Sequence, residues 1–524
     1  MTKSLQPSTA AFKKLIEGGH LYVDKTAYIY NLIQESSDVY FLSRPRRFGK
    51  SLLVSTLDEV FRGNKELFEG LWLYESDYQW HAYPVIRFDF SLEQVKTAEE
   101  LEEAICEYVS EIAFDYDITI KDGPHHRMFR HLIRQLSRTN TNGQVVILID
   151  EYDKPLIDNL DNLEQAQQIR EVMKAFYGIL KAMDPQIRFL LITGVSKFTR
   201  VSIFSELNHL TELTMDTAFG SALGLTETEI RENFADHLAL VAQKENITAE
   251  EMLAKMRHWY DGFCFAPGAE NVYNPFSVLH FFYHQRFSNY WFKTGTPTFL
   301  VKLIHQRQYD VEILDGLVLK ETAFDTYDIR NLALVPLLFQ TGYLTIKGYD
   351  EESMEYTLNY PNYEVEDAFL THLLDKFGDI EQGFSASYIW QMIRALQSHD
   401  LDTFFPIIQV IFANVDYDLH LKYEKYYQTI FYLTFKLMGV YIDAEVKTND
   451  GRIDAVIHLK DRIYLFEFKL DSTAQSALDQ IHDKKYYQKY ELGGKPITLV
   501  GANFDTKTRM VDKWKTEEWV SAVG

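Results

Sequence analysis

Short apolar runs mark the first half of the chain: VYFLS at 39–43, PVIRFDF at 84–90, VVILID at 145–150 and IRFLLITG at 187–194. Each is short enough to be a strand, and the five consecutive aliphatic residues VVILI at 145–149 are too continuous to leave one face in water. That is the pattern of parallel strands covered on both sides. Helix-like stretches such as LLVSTLDEVF at 52–61 separate them, so the pattern predicts an α/β sheet rather than a barrel of hairpins.

The last quarter reads differently. A helix over KYEKYYQTIFYLTFKLMG at 422–439 precedes a hairpin, GRIDAVIHLKDRIYLFEFKL at 451–470, and a helix-like QIHDKKYYQKY at 480–490. If Lys460 and Asp461 form the hairpin tip, counting outward sets Asp454 opposite Glu467, with Lys469 on the same side and Phe466 and Phe468 turned into the core. Between the two regions, WYDGFCFAPGAENVYNPFSVLHFF at 259–282 reads as a turn leading into a helix. PLLFQTGYLTIKGYDEESMEYTLNYPN at 336–362 reads as a helix end followed by two strands, resembling a wing. Its tip, Asp350-Glu351-Glu352, would repel phosphates, so it is expected to be structural or to contact protein.

Composition narrows the class. A chain of 524 residues has room for several domains, each with its own core. Its net charge of −23 argues against a protein that coats nucleic acid nonspecifically. Residues 421–500 are near neutral, with 12 basic and 11 acidic side chains, which leaves room for a local basic groove there. Cys106 and Cys264, far apart in sequence, fit neither a disulfide framework nor a zinc site. The segment MTKSLQPSTAAFKKLIEGG lacks an apolar signal region and no stretch is long enough to span a membrane, so a cytoplasmic protein is expected.

The candidate chemistry sits at strand ends. Gly49-Lys50-Ser51 follows the strand at 39–43 and opens a helix, an arrangement that aims backbone N–H groups at a phosphate, with Lys50 adding charge and Ser51 a hydroxyl for Mg²⁺. The glycine expected five residues before Gly49 is Arg44. Asp150 and Glu151 end the strand at 145–150. Asp150 suits Mg²⁺ and Glu151 suits the water that attacks a γ-phosphate. Thr193 is the candidate γ-phosphate sensor, and Asp89 competes with Asp150 for the metal.

In the C-terminal hairpin, two acids and a lysine converging on a half-buried face call for a divalent cation. Asp454 and Glu467 would hold Mg²⁺ or Mn²⁺, and Lys469 would orient a water or stabilise charge on a scissile phosphate. Glu424 would complete the site, and Gln480 would help hold Lys469 or the substrate. His280 and His284 stand at i, i+4, but no neighbouring acid or cysteine completes a zinc site, so packing is expected. Tyr486, Tyr487 and Tyr490 are read as packing residues ahead of base-stacking ones.

YVDKT (22–26), RPRRFGKS (44–51), IDEYD (149–153) and ITGVSKF (192–198) together resemble the bacterial AAA-ATPase-like family over about residues 1–285. Helix with Glu, strand with Asp, strand with Glu-x-Lys and helix with Gln resembles the PD-(D/E)XK nuclease superfamily over roughly 400–510; the usual Pro before the first Asp is Ile453. The resemblances imply an α/β protein: a P-loop NTPase parallel sheet at 1–225, a helical lid at 226–285, a winged-helix-like connector at 286–399 and a restriction-endonuclease-like domain at 400–524. They imply ATP and Mg²⁺ as cofactors, with Gly49, Lys50, Ser51, Asp150 and Thr193 around the nucleotide and Arg46 and Arg47 as further phosphate contacts. Arg200 is a candidate arginine finger. The expected function is an ATPase coupled to metal-dependent phosphodiester hydrolysis, with nucleic acid as partner, DNA ahead of RNA, and homo-oligomerisation left open. The alternative is a nucleotide-dependent switch whose C-terminal domain binds nucleic acid or protein without cutting.

Overall fold

The computed structural model describes residues 3–34, 39–92, 94–160, 162–196, 210–294, 298–307, 309–325, 327–328, 331–413, 423–449, 452–505, 508 and 510–519. Lys197, Phe198 and the finger candidate Arg200 lie outside the described residues. The chain divides into two compact units, Met1–Gly295 with Gly316–Asn362, and Thr296–Asp315 with Tyr363–Gly524.

The first unit is built on a five-stranded sheet of β1 (Val39–Ser43), β2 (Val85–Asp89), β3 (Val145–Asp150), β4 (Ile187–Gly194) and β5 (Thr211–Glu212), in the order β2-β3-β4-β1-β5. Every pairing is parallel. All of β1 and β3 is buried, which accounts for their unbroken apolar runs. Helix α1 (Lys50–Phe61) covers one face, packing Val54, Leu57 and Phe61 with Tyr40, Leu42, Val146, Leu148 and Phe189. Helices α2 (Ala98–Asp115), α3 (His125–Thr139) and α4 (Leu163–Ala182) belong to the other side. There Phe88 of β2 meets Phe129 edge-on at 5.3 Å, and Phe129 stacks on Phe176 at 4.6 Å.

Four helices follow the sheet: α5 (Glu227–Asn233), α6 (Ala235–Glu245), α7 (Ala249–Tyr260) and α8 (Pro275–His284). Their starts are written in the sequence. Thr226 with Glu229 and Thr248 with Glu251 form reciprocal capping boxes, and Asn274 caps α8 with Pro275 at its first position. Ile230, Phe234, Met252, Met256, Tyr260 and Phe281 share their core. The same unit holds an antiparallel sheet of β6 (Leu317–Lys320), β7 (Thr345–Asp350) and β8 (Glu355–Asn359), in the order β6-β8-β7. The helix end and hairpin expected at 336–362 form here, with β6 as a third strand that the sequence did not announce. The stretch 286–399 contributes to both units.

The second unit has helices α9 (Tyr363–Phe377), α10 (Phe384–Gln397), α11 (Leu401–Ala413) and α12 (Tyr423–Tyr441) before a mixed sheet. Its strands β9 (Asp443–Asn449), β10 (Arg452–His458), β11 (Ile463–Leu470), β12 (Ile497–Asp505) and β13 (Met510–Trp519) lie in chain order. Neighbours are antiparallel except β11 and β12, which α13 (Ala474–Lys484) connects as a crossover. The two faces of β11 do different work. Phe466 and Phe468 pack on α11 and α12 through Phe404 at 5.4 Å and Phe431 at 4.8 Å. Ile463 and Leu465 pack on Leu478 and Ile481 of α13, and that face continues to Glu467 and Lys469. No described helix is long and apolar enough to cross a membrane.

Candidate functional site

In the first unit, β4 lies between β1 and β3, so the loops leaving all three emerge at one edge. Leu42 pairs with Thr193, and Ile149 with Ile192. The loop after β1 turns at Gly49, with φ +98°, a left-handed value that glycine takes without strain, and Gly49 caps α1. The first N–H groups of α1 have no partners within the helix, an arrangement suited to an anion. Arg47 also sits at positive φ, +66°, which costs a residue with a side chain about 1–2 kcal/mol.

Lys50 is buried and donates to the carbonyls of Arg44 at 3.1 Å and Pro45 at 3.2 Å, and its Nζ stands 3.3 Å from Glu151 Oε1. Glu151, at φ +52°, is another left-handed residue at this edge. Asp150 is fully buried; its Oδ1 accepts from Thr193 Oγ1 at 2.5 Å and from the Glu151 N–H at 3.0 Å. Its Oδ2 has no hydrogen-bond partner among the described residues. Burial pushes this carboxyl above the usual range, while Ser51 and Thr193 act to lower it. An orphaned, buried carboxylate oxygen beside a serine hydroxyl fits a hard divalent cation. Asp89 pairs in register with Asp150, but its carboxylate accepts from the Ser91 N–H and serves the turn after β2.

Arg46 and Arg47 are exposed and line a cleft of about 450 Å³ with Gly49, Lys50, Ser51 and Glu151. The Arg47 guanidinium lies over Phe276 of α8, 5.1 Å from the ring centre, and Phe276 lines the same cleft. An apolar cavity of about 140 Å³ adjoins it, sharing Gly49, Leu52 and Leu279 and walled by Tyr28, Phe219 and Leu223.

Two supports escaped the sequence reading. Arg44, which replaces a glycine, is not in the cleft. It is a buried strut donating to the carbonyls of Ser43, Thr214 and Phe219 at 3.0, 2.7 and 3.1 Å, with Phe265 against its guanidinium; burial lowers its pKa to about 9. Asp153 is the second support. Fully buried and pushed up to about 6 by burial, it accepts from the N–H of Val195 at 3.2 Å and from the N–H and Oγ of Ser196, both at 2.6 Å. Tyr152 adds bonds to the Thr193 and Ser196 carbonyls at 2.9 and 2.8 Å, so the acidic turn is pinned to the end of β4. The final Asp of IDEYD and the Ser of ITGVS were the available signals.

In the second unit, Asp454 pairs with Glu467 and Arg452 with Lys469, the register that a tip at Lys460-Asp461 predicts. Glu467 is fully buried, and Lys469 Nζ lies 3.5 Å from its Oε1. Lys469 donates to Gln480 Oε1. Gly501 lets α13 come close enough for that bond. Gly501, on β12, pairs with Glu467 of β11, and a Cβ at Gly501 would lie 2.4 Å from the Ala474 carbonyl oxygen. The side chains of Asp454 and of Glu424, on α12, lie outside the described residues. Among the described residues no cluster of three or more His, Cys, Asp or Glu side chains gathers in a metal-binding arrangement. His280 and His284 stack on each other at 5.6 Å and on Tyr290, a packing role. Tyr487 is likewise buried, stacked 3.8 Å from Trp519.

Residues 8–204 match the family described as predicted AAA-ATPase, AAA-ATPase-like, and residues 422–514 match the PD-(D/E)XK nuclease superfamily. A protein of Azotobacter chroococcum mcd 1, described as an uncharacterized protein in the vnfD 5' region, is 35% identical over 520 residues, covering 97% of this chain and 98% of that one. The likeness thus runs through both units, and the chain belongs to the AAA-ATPase-like family and carries a PD-(D/E)XK nuclease superfamily domain in its C-terminal part.

Proposed function

We propose that the first unit binds and hydrolyses ATP and that the second hydrolyses phosphodiester bonds in nucleic acid, DNA ahead of RNA. The observation that carries this reading is one arrangement used twice: a carboxylate beside a lysine, Glu151 with Lys50 at 3.3 Å and Glu467 with Lys469 at 3.5 Å.

In the first unit the phosphates lie over the start of α1, with Lys50, Arg46 and Arg47 meeting their charge. Ser51 and Asp150 hold Mg²⁺, which when bound neutralises phosphate charge. Glu151 orients the attacking water and accepts its proton, and Thr193 fixes Asp150 and through it senses the γ-phosphate. The adjoining apolar cavity receives the purine ring. In the second unit Asp454, Glu467 and Glu424 hold Mg²⁺ or Mn²⁺, which supplies Lewis acidity at the scissile phosphate. Lys469, steered by Gln480, orients water and stabilises the developing charge. The nucleotide state of the first unit governs cutting by the second.

Plasmid DNA and a structured RNA, incubated with the purified chain in Mg²⁺ or Mn²⁺ with and without ATP, test the reading. Cleavage should stop in EDTA and in Lys469→Ala. Cutting that survives in that variant, or none on either substrate while ATP is still hydrolysed, would refute the nuclease half.

A further inference from the structure

Helix α3 (His125–Thr139) carries a charge pattern that the ATP cleft does not use. Met128, Phe129, Leu132, Ile133 and Leu136 are buried, whereas Arg127, Arg130, His131, Arg134 and Arg138 are exposed. At 100° per residue these five basic positions fall within an arc of about 100° and extend about 16 Å along the axis. Of the chain's 524 residues 76 are acidic, yet none occurs between Asp122 and Asp150. Among the described residues no carboxylate reaches ion-pair distance of the four arginines; the contact that α3 does make, His125 with Glu102 at 3.5 Å, is at its buried first position.

Helix stability does not explain the stripe. Arg130, Arg134 and Arg138 repel one another at i, i+4 spacing. Arg127 and two histidines occupy the first turn, where α2, α5 and α7 place glutamates that match the helix dipole. Guanidinium forks suit phosphate oxygens better than a generic soluble face requires. The stripe spans roughly five base-pair steps.

We propose that α3 is a docking surface for the phosphodiester backbone of a nucleic-acid duplex. The backbone runs along α3 rather than across to the adjacent α2, whose exposed Glu103, Glu107 and Glu111 repel it. The inference rests on the proposed reading only in taking nucleic acid as the partner; it needs no cleavage.

The test is fluorescence anisotropy of labelled DNA and RNA duplexes with the full chain in EDTA, across a KCl series. The variants are the triple Arg130→Gln/Arg134→Gln/Arg138→Gln and the corresponding triple Arg→Lys, each checked for a native melting temperature. The Gln triple should bind more weakly and lose about 2–3 from the slope of log affinity against log salt, at about 0.9 per phosphate contact. The Lys triple should keep most of that slope. An unchanged slope in a folded Gln triple overturns the proposal. So does a loss of self-association in sedimentation with duplex affinity intact, which would assign the stripe to a second copy of the chain. Absence of binding by the wild-type chain overturns the docking surface and the nuclease reading together, whereas binding without cleavage in Mg²⁺ counts against the nuclease reading alone.

Discussion

The two lysine–carboxylate sites are assembled over very different spans of chain. The cleft of the first unit gathers Arg46, Arg47, Gly49, Lys50, Ser51, Glu151 and Phe276, with Asp150 and Thr193 buried behind Glu151, all brought together by crossovers and packing. The site of the second unit comes from a single hairpin and the helices before and after it in the chain, with Glu424 proposed from the first and Gln480 supplied by the second. Long-range assembly needs struts, here Arg44 and Asp153, whereas local assembly needs register and one close approach, at Gly501. The first site should therefore fail through distant substitutions, and the second through local ones.

The largest effects should come from the reacting groups. Glu151→Gln should lower ATP turnover about 10²–10⁴-fold while a fluorescent ATP analogue still binds. Loss of binding in step with turnover would make Glu151 structural instead.

The pH dependence of unfolding probes a strut. An aspartate ordinarily titrates at 3.8, and Asp153 is pushed up to about 6. The folded state therefore holds more protons than the unfolded chain between these values, and stability contributed there is lost as pH rises. Over that window Asp153 accounts for roughly 3 kcal/mol. Asp261, also pushed up to about 6 by burial, titrates in the same range, so urea unfolding of Asp153→Asn should show a shallower slope, not a flat one. An unchanged slope would remove Asp153 from this role.

Arg44→Ala would strip hydrogen bonds from the buried carbonyls of Thr214 and Phe219 and should cost about 1–3 kcal/mol in urea unfolding. Arg44→Lys should not recover it, because one ammonium cannot copy the fork. A Lys variant as stable as wild type would argue against the strut. At the second site, Gly501→Ala should cost about 1–3 kcal/mol and weaken cleavage as α13 shifts Gln480 away from Lys469. A stable variant cutting at the wild-type rate would show that the close approach is dispensable.

Legibility in the sequence follows the same division. The register of β10 and β11 was readable because a hairpin tip fixes every pair and the Phe positions fix the face. Four strands of the first sheet announced themselves by apolar runs, whereas the helices after it open on Thr-x-x-Glu caps that the sequence reading left unused. Arg44 could be seen to break the glycine pattern, but its partners lie about 170 residues away and no local periodicity points to them. Asp153 looked like one more acid in a turn until Ser196 closed on it. Two-residue β5 and four-residue β6 are too short to stand out, and pairing alone defines them.

The most direct test of two separate reaction centres is to measure ATP hydrolysis and plasmid cleavage on wild type, Lys50→Ala and Lys469→Ala in parallel. The account predicts that Lys469→Ala loses cleavage and keeps ATP turnover, while Lys50→Ala loses ATP turnover and, with it, the response of cleavage to ATP. Undiminished cutting by Lys469→Ala, or an ATP response that survives in Lys50→Ala, would contradict it.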